Sequence, residues 1–303
     1  MYERDAFIVY FGCILIALMF DTIASLSHQE TSFFLHSQAY GIWNGTTFTS
    51  LTLPYRELMQ SNTKDANYKP RILMIGDSIN RNAIKAYCKS INSLVHEYTS
   101  CHGHGAHHAC VNDQVELTTF FIFGAALHEW SGPNELLRAQ HLCSNMSHGT
   151  LNRIRNHLLP SVKNVYGNNT IDIITINAIQ WTLNDLPDKM NTFSTSEFST
   201  FAHEYIHNMT IIIKEVRILF PTSAILLQTV PYSQPFQPYV PKVNKLIELI
   251  AAKHSNIGVY DVDNMCNGYL GQVIADDQLH PTPPISIAFV QLLIDIAYNM
   301  RHA

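Results

Sequence analysis

The chain of 303 residues is predicted to fold as an α/β protein, a three-layer α/β/α sandwich around a central parallel sheet of about five strands. Two observations predict it. Short apolar runs rich in β-branched residues alternate with longer helix-compatible stretches, and a composition of 47% hydrophobic with 14% charged residues suits one well-filled core. The predicted strands are Arg71–Ile75, Leu117–Phe123, Asp172–Asn177, Ala224–Val230 and Gly258–Val262. Between and after them, helices are predicted at Arg81–Ser93, Thr150–Leu159, Glu197–Leu219, Pro241–Lys253 and Ile285–Arg301. The least regular stretch, 95–149, reads as an insertion near the sheet edge or over its active end.

Ahead of this pattern, charged Glu3-Arg4-Asp5 precedes an unbroken apolar run from Ala6 to Phe20. Residues 1–27 are therefore expected to be a signal peptide or a single-pass type II anchor through residues 6–20, directing the rest into the secretory pathway, either to the Golgi or another endomembrane or, if cleaved, outside the cell. Residues 28–68 read as a stem or irregular lead-in, and 69–303 as the catalytic domain. A net charge of -5 without a basic run argues against nucleic acid as a partner. Beyond Cys13 in the apolar run stand Cys88, Cys101, Cys110, Cys143 and Cys266, and Cys101 with Cys110 is the expected disulfide. Sequons occur at Asn44, Asn145, Asn168 and Asn208.

The chemistry centres on two segments. The first strand breaks at Gly76-Asp77-Ser78 and continues as a helix, which would expose the Ser78 hydroxyl at the carboxyl end of the sheet beside a helix N-terminus. Far along the chain, Asp277 precedes His280 by three positions, just ahead of the final helix. A serine hydroxyl becomes a nucleophile when an imidazole takes its proton, and a carboxylate holds that imidazole in the right tautomer. Ser78, His280 and Asp277 supply these roles in the required strand and helix context. No cofactor is expected, and no metal.

These motifs, Gly76-Asp77-Ser78 early and Asp277-x-x-His280 late, resemble the SGNH, or GDSL-type, hydrolase superfamily. Gly76-Asp-Ser-Ile-Asn-Arg-Asn82 followed by Asn177-Ala-Ile-Gln-Trp181 is similar to its PC-esterase branch, which includes the plant trichome birefringence-like proteins. The resemblance implies the flavodoxin-like sandwich of those hydrolases and an oxyanion hole made by the Ser78 and Gly124 backbone amides with the Asn177 side chain, Gly132 being the rival glycine. It also implies an esterase or O-acyltransferase acting on O-acetylated carbohydrate. Two departures stand out: Ile179-Gln180 replaces the usual glycine–histidine, and no cysteine flanks Asp277. Arg81, one helical turn after Ser78, and Trp181 are candidate substrate-binding residues, with a solvated helix arginine and a core tryptophan as the plain alternatives.

Different classes remain to be weighed: an inactive glycan-binding or scaffold protein of the same fold, and a zinc protease. His203-Glu204-Tyr205-Ile206-His207 matches the H-E-x-x-H pattern, but the extended zinc-protease form asks for glycine at 210 and histidine at 213, where Thr210 and Ile213 stand. The match is expected to be accidental, and Glu248 is a distant third ligand at best. The run Cys101-His102-Gly-His104-Gly-Ala-His107-His108-Ala-Cys110 is dense in metal ligands; closing it with a disulfide would leave the histidines lining a polar loop, which could also lie over the pocket.

Overall fold

The computed structural model describes residues 41–44, 47–50, 68–97, 107–127, 149–184, 195–231, 239–266, 269, 271–277 and 279–302. The apolar leader, Cys101, Cys143, Gly132 and most of the histidine-rich loop lie outside them.

Each predicted strand is present. After a short hairpin of β1 (Gly41–Asn44) and β2 (Thr47–Ser50) come β3 (Arg71–Gly76), β4 (His96–Glu97), β5 (His108–Val111), β6 (Glu116–Phe121), β7 (Ile173–Ile176), β8 (Ala224–Gln228) and β9 (Ile257–Tyr260). The main sheet runs β4-β5-β6-β3-β7-β8-β9. From β6 to β9 it is parallel, and β5 and β4 extend it antiparallel at one edge, so the start of the irregular insertion is an edge addition. Taken in chain order, the parallel strands stand second, first, third, fourth, fifth, the doubly wound order whose crevice opens between the ends of β3 and β7.

The helices are α1 (Ser78–Ser90), then α2 (Thr150–Arg153) running through a π-helical stretch (Ile154–Leu158) into α3 (Leu159–Tyr166), α4 (Gln180–Asn184), α5 (Thr195–Leu219), α6 (Val240–Ala252), α7 (Val262–Met265) and α8 (Pro283–His302). Strand alternation sorts the core into two halves. Leu73 and Ile75 of β3 face a cluster closed by Ile154, Leu158, Ile212, Val216, Val243 and Ile247, from the helices between α2 and α6. Ile72 and Met74 face the opposite cluster, closed by Ile79 and Ile84 of α1 and Ile285, Phe289 and Leu293 of α8. The helix that begins at Ser78 and the final helix therefore share one face of the sheet.

The expected Cys101–Cys110 bridge is not formed. Cys110 bonds instead to Cys88, with Cα atoms 6.2 Å apart. The reason is topological: β5 pairs beside β6 under the last turns of α1, which presents Cys88 to it. Cys266 is a buried free thiol whose pKa burial and the nearby Asp263 and Asp261 push up, so it is inert as a nucleophile.

Candidate active site

Gly76 ends β3 where a side chain has no room. A Cβ there would lie 2.5 Å from Asn80 Nδ2 and 3.2 Å from the Asn177 carbonyl oxygen. The next residue, Asp77, caps α1 by accepting the Ile79 N–H at 2.9 Å. It is 2% exposed, and burial pushes its carboxyl up to about 6 against the pull of that N–H, His280 and Arg81. Ser78 is thereby fixed as the first residue of α1.

Residues 271–282 return the chain to this point. The segment closes on itself through Ala275 N–H to the His280 carbonyl at 2.8 Å, Thr282 N–H to the Val273 carbonyl at 2.9 Å and Thr282 Oγ1 to the Gln272 carbonyl at 2.7 Å. His280 Nε2 lies 2.7 Å from Ser78 Oγ, although the two residues are 202 positions apart. On the other ring edge, Nδ1 lies 2.7 Å from Asp277 Oδ2, while Asp277 Oδ1 accepts the Leu279 and His280 N–H groups, each at 2.9 Å. Burial raises the Asp277 carboxyl, but those backbone bonds and His280 outweigh it and hold the group down at about 2. An ionised Asp277 accepts the hydrogen bond from Nδ1–H, which leaves the Nε2 lone pair facing the Ser78 hydroxyl.

Asn177 and Gly124 follow the strands on either side of β3. Asn177 N–H donates to the Ile75 carbonyl at 2.8 Å, and the residue is 1% exposed, with Nδ2 bonded to no group among the described residues. Gly124 has φ of +79°, and a Cβ would lie 2.6 Å from Thr182 Oγ1, so this backbone and this space both require glycine. Around it, Thr150 Oγ1 donates to the Gly124 carbonyl at 2.7 Å and Ala125 N–H donates to Thr182 Oγ1 at 2.8 Å. Arg81 is buried against the Phe121 ring, its guanidinium carbon 5.8 Å from the centroid, and is not a solvated helix arginine. Trp181 is half-buried and packs edge-on against Phe123 at 5.1 Å.

The other metal-like pattern gathers no site. His203, Glu204 and His207 share the exposed side of α5, Glu248 pairs with Lys245 at 2.6 Å, and among the described residues no group of three His, Cys, Asp or Glu could hold a metal ion. Of the histidine-rich run, His107 is buried in a stack on Phe120, its Nδ1 accepting the Phe121 N–H at 3.1 Å, and burial lowers it to about 3. His108 bonds to Glu97 at 3.1 Å.

Sequence reasoning missed Thr150, Arg153 and Thr182. Arg153 is fully buried, donates through Nε and Nη2 to the Phe121 carbonyl at 3.1 and 2.7 Å, and lies between Phe120 and Phe123; burial lowers it to about 10. At the helical period Arg153 lies off the apolar stripe of Leu151, Ile154 and Leu158, so hydrophobic periodicity carries no signal of its burial. Nothing in the sequence singles out the two threonines.

No family model and no curated protein matches the chain. Solved structures similar to it include a carbohydrate esterase family 3 protein from Talaromyces cellulolyticus, at 14% identity over 77% of this chain and 97% of that one, with a TM-score of 0.41. Another is a carbohydrate esterase family 2 enzyme with a carbohydrate-binding domain from Corynascus thermopiles (Myceliophthora fergusii), at 11% identity, 78% and 68% coverage and a TM-score of 0.45. An acetylxylan esterase from Geobacillus stearothermophilus shows 15% identity, 76% and 95% coverage and a TM-score of 0.40.

Proposed function

We propose that the protein is a serine-dependent ester hydrolase of the SGNH type, working through an acyl-enzyme. The observation that carries this reading is the unbroken hydrogen-bond chain from Ser78 Oγ to His280 to Asp277, both links at 2.7 Å. His280 Nε2 takes the Ser78 proton as Oγ attacks the acyl carbonyl carbon. The resulting oxyanion is held by the Ser78 and Gly124 amides and by Asn177 Nδ2, which is buried and bonded to no group among the described residues. Collapse expels the alcohol, which takes the proton from His280, and water activated by the same imidazole releases the acid.

The proposed substrate is an O-acetylated carbohydrate, with Arg81 and Trp181 on its sugar side; a sugar hydroxyl in place of water in the second half-reaction would make the protein an O-acetyltransferase of the PC-esterase branch. The Cys88–Cys110 disulfide supports an oxidising compartment, hence the secretory route assigned to the leader.

The test is turnover of an activated acetyl ester by residues 28–303. Ser78→Ala and His280→Ala are each expected to lower kcat by about a thousandfold or more, and native turnover in both would end the assignment. Adding a polysaccharide acceptor and following acetyl transfer separates transferase from hydrolase.

A further inference from the structure

A row of buried carboxamides lies beneath the nucleophile turn. Ile75 pairs with Ile176, and Ile176 with Leu227, so the next positions along β3, β7 and β8 are Gly76, Asn177 and Gln228, side by side at the carboxyl end of the sheet. Alternation sends all three to the α1 and α8 face, because Ile72, Met74, Ile173, Leu226 and Tyr260 already lie there and Tyr260 is the register partner of Gln228. Gly76 offers no side chain, and the Asn80 carboxamide fills its place, with Nδ2 2.5 Å from where a Cβ would stand.

Asn80, Asn177 and Gln228 are each 1% exposed or less. Among the described residues, both amide atoms of Asn80, both of Gln228 and Nδ2 of Asn177 have no partner. Such atoms do not stay unbonded in a native interior, so they are satisfied by each other after small rotations or by ordered water between them.

The chemistry at stake is which way round Asn177 sits. A carboxamide has an oxygen and a nitrogen of nearly equal size, and only the groups around it decide which faces where. An oxyanion needs Nδ2; Oδ1 turned toward it would repel it. Among the described residues, the one bond holding Oδ1 is the Ile179 N–H at 3.4 Å, too long to fix the choice. We propose that Asn80 and Gln228 are positioning residues that donate to Asn177 Oδ1, directly or through water, and so keep Nδ2 turned to the oxyanion. This rests on the esterase reading above.

The test is a double-mutant cycle with the activated acetyl ester. Gln228→Met, similar in volume and without a donor, is expected to lower kcat by about tenfold, part of the roughly hundredfold cost of losing an oxyanion donor, with KM within about twofold. In the Asn177→Ala background the same change should have no further effect. Gln228→Glu carries a donor only while its carboxyl is protonated, so its kcat should fall as pH rises through that ionisation, a limb absent from Gln228→Met. If Gln228→Met does not fold, Asn80→Ala takes its place in the cycle under the same criteria. Native kcat in the single variant, or a loss repeated in full on top of Asn177→Ala, overturns the inference. Ser78→Ala is run in parallel: its retaining turnover would sink the esterase reading itself, whereas its inactivity with an additive cycle removes only the role of Asn80 and Gln228.

Discussion

Asp77 shows how a single residue can fix the start of a helix at a cost that pH reveals. Its carboxylate caps α1 from a fully buried position, and desolvation raises its pKa from an ordinary 3.8 to about 6. A raised folded pKa means that the native state binds the proton more tightly than the unfolded chain. Stability from this group is therefore full below about pH 4 and is lost as pH climbs toward 6, by on the order of 3 kcal/mol for a shift of this size. Asp77→Asn keeps an N-cap acceptor for the Ile79 N–H and removes the charge. Denaturant unfolding at pH 4 and pH 7 should show the variant losing less stability between the two than the native chain; an equal loss would mean that Asp77 is solvated after all. The sequence singled out Ser78, Asp277 and His280 because their types and order are specific, and the fold brings the three within hydrogen-bond reach. The sequence did not expose the burial of Asp77, which depends on side chains that arrive from distant segments.

At the scale of elements, the loop after β6 is shaped by two short helices: α2, which the sequence places within Thr150–Leu159, and α4, which hydrophobic periodicity could not predict. The five residues of α4 are too few to show a helical period, yet Thr182 at its centre accepts the Ala125 N–H and donates to the Ala178 carbonyl. From the other side, Thr150 and Arg153 hold the Gly124 and Phe121 carbonyls. A Thr182→Val variant keeps the shape and leaves the Ala125 N–H unbonded, costing about 1–3 kcal/mol. Gly124→Ala must place a Cβ 2.6 Å from Thr182 Oγ1 at φ of +79°, so it costs about 2 kcal/mol or more from backbone strain and crowding. If this loop carries an oxyanion amide, both variants lower kcat more than they change KM. Thermal unfolding beside steady-state kinetics would expose a loop that matters for folding alone, since kcat would then stay native while Tm falls.

Across the whole molecule, the parallel sheet was legible because each of its strands is an apolar β-branched run, and the helices because they are long. The parts that were not legible are those defined by distant partners: β4 and β5, which exist as strands through β6; the Cys88–Cys110 bond; and the β1–β2 hairpin inside the segment read as a lead-in. That hairpin bears on the candidate site. Trp43 donates from Nε1 to the Met265 carbonyl at 2.9 Å and packs on the Tyr269 ring at 4.5 Å, with Phe48 buried behind it at 5.1 Å. Tyr269 in turn stands 2.6 Å from where a Cβ on Gly271 would lie, at the start of the segment that brings Asp277 and His280 back to Ser78. Removing the indole therefore loosens the base of that segment, and a 2.7 Å bond between His280 and Ser78 tolerates little displacement. Trp43→Ala is expected to cost about 2–4 kcal/mol of stability and to lower kcat several-fold. Phe48→Ala, which removes a comparable buried ring that packs on Trp43, should cost similar stability with a smaller effect on kcat. Equal kcat in the two variants at equal stability loss would reduce the hairpin to a cover over α8, with no part in holding the histidine.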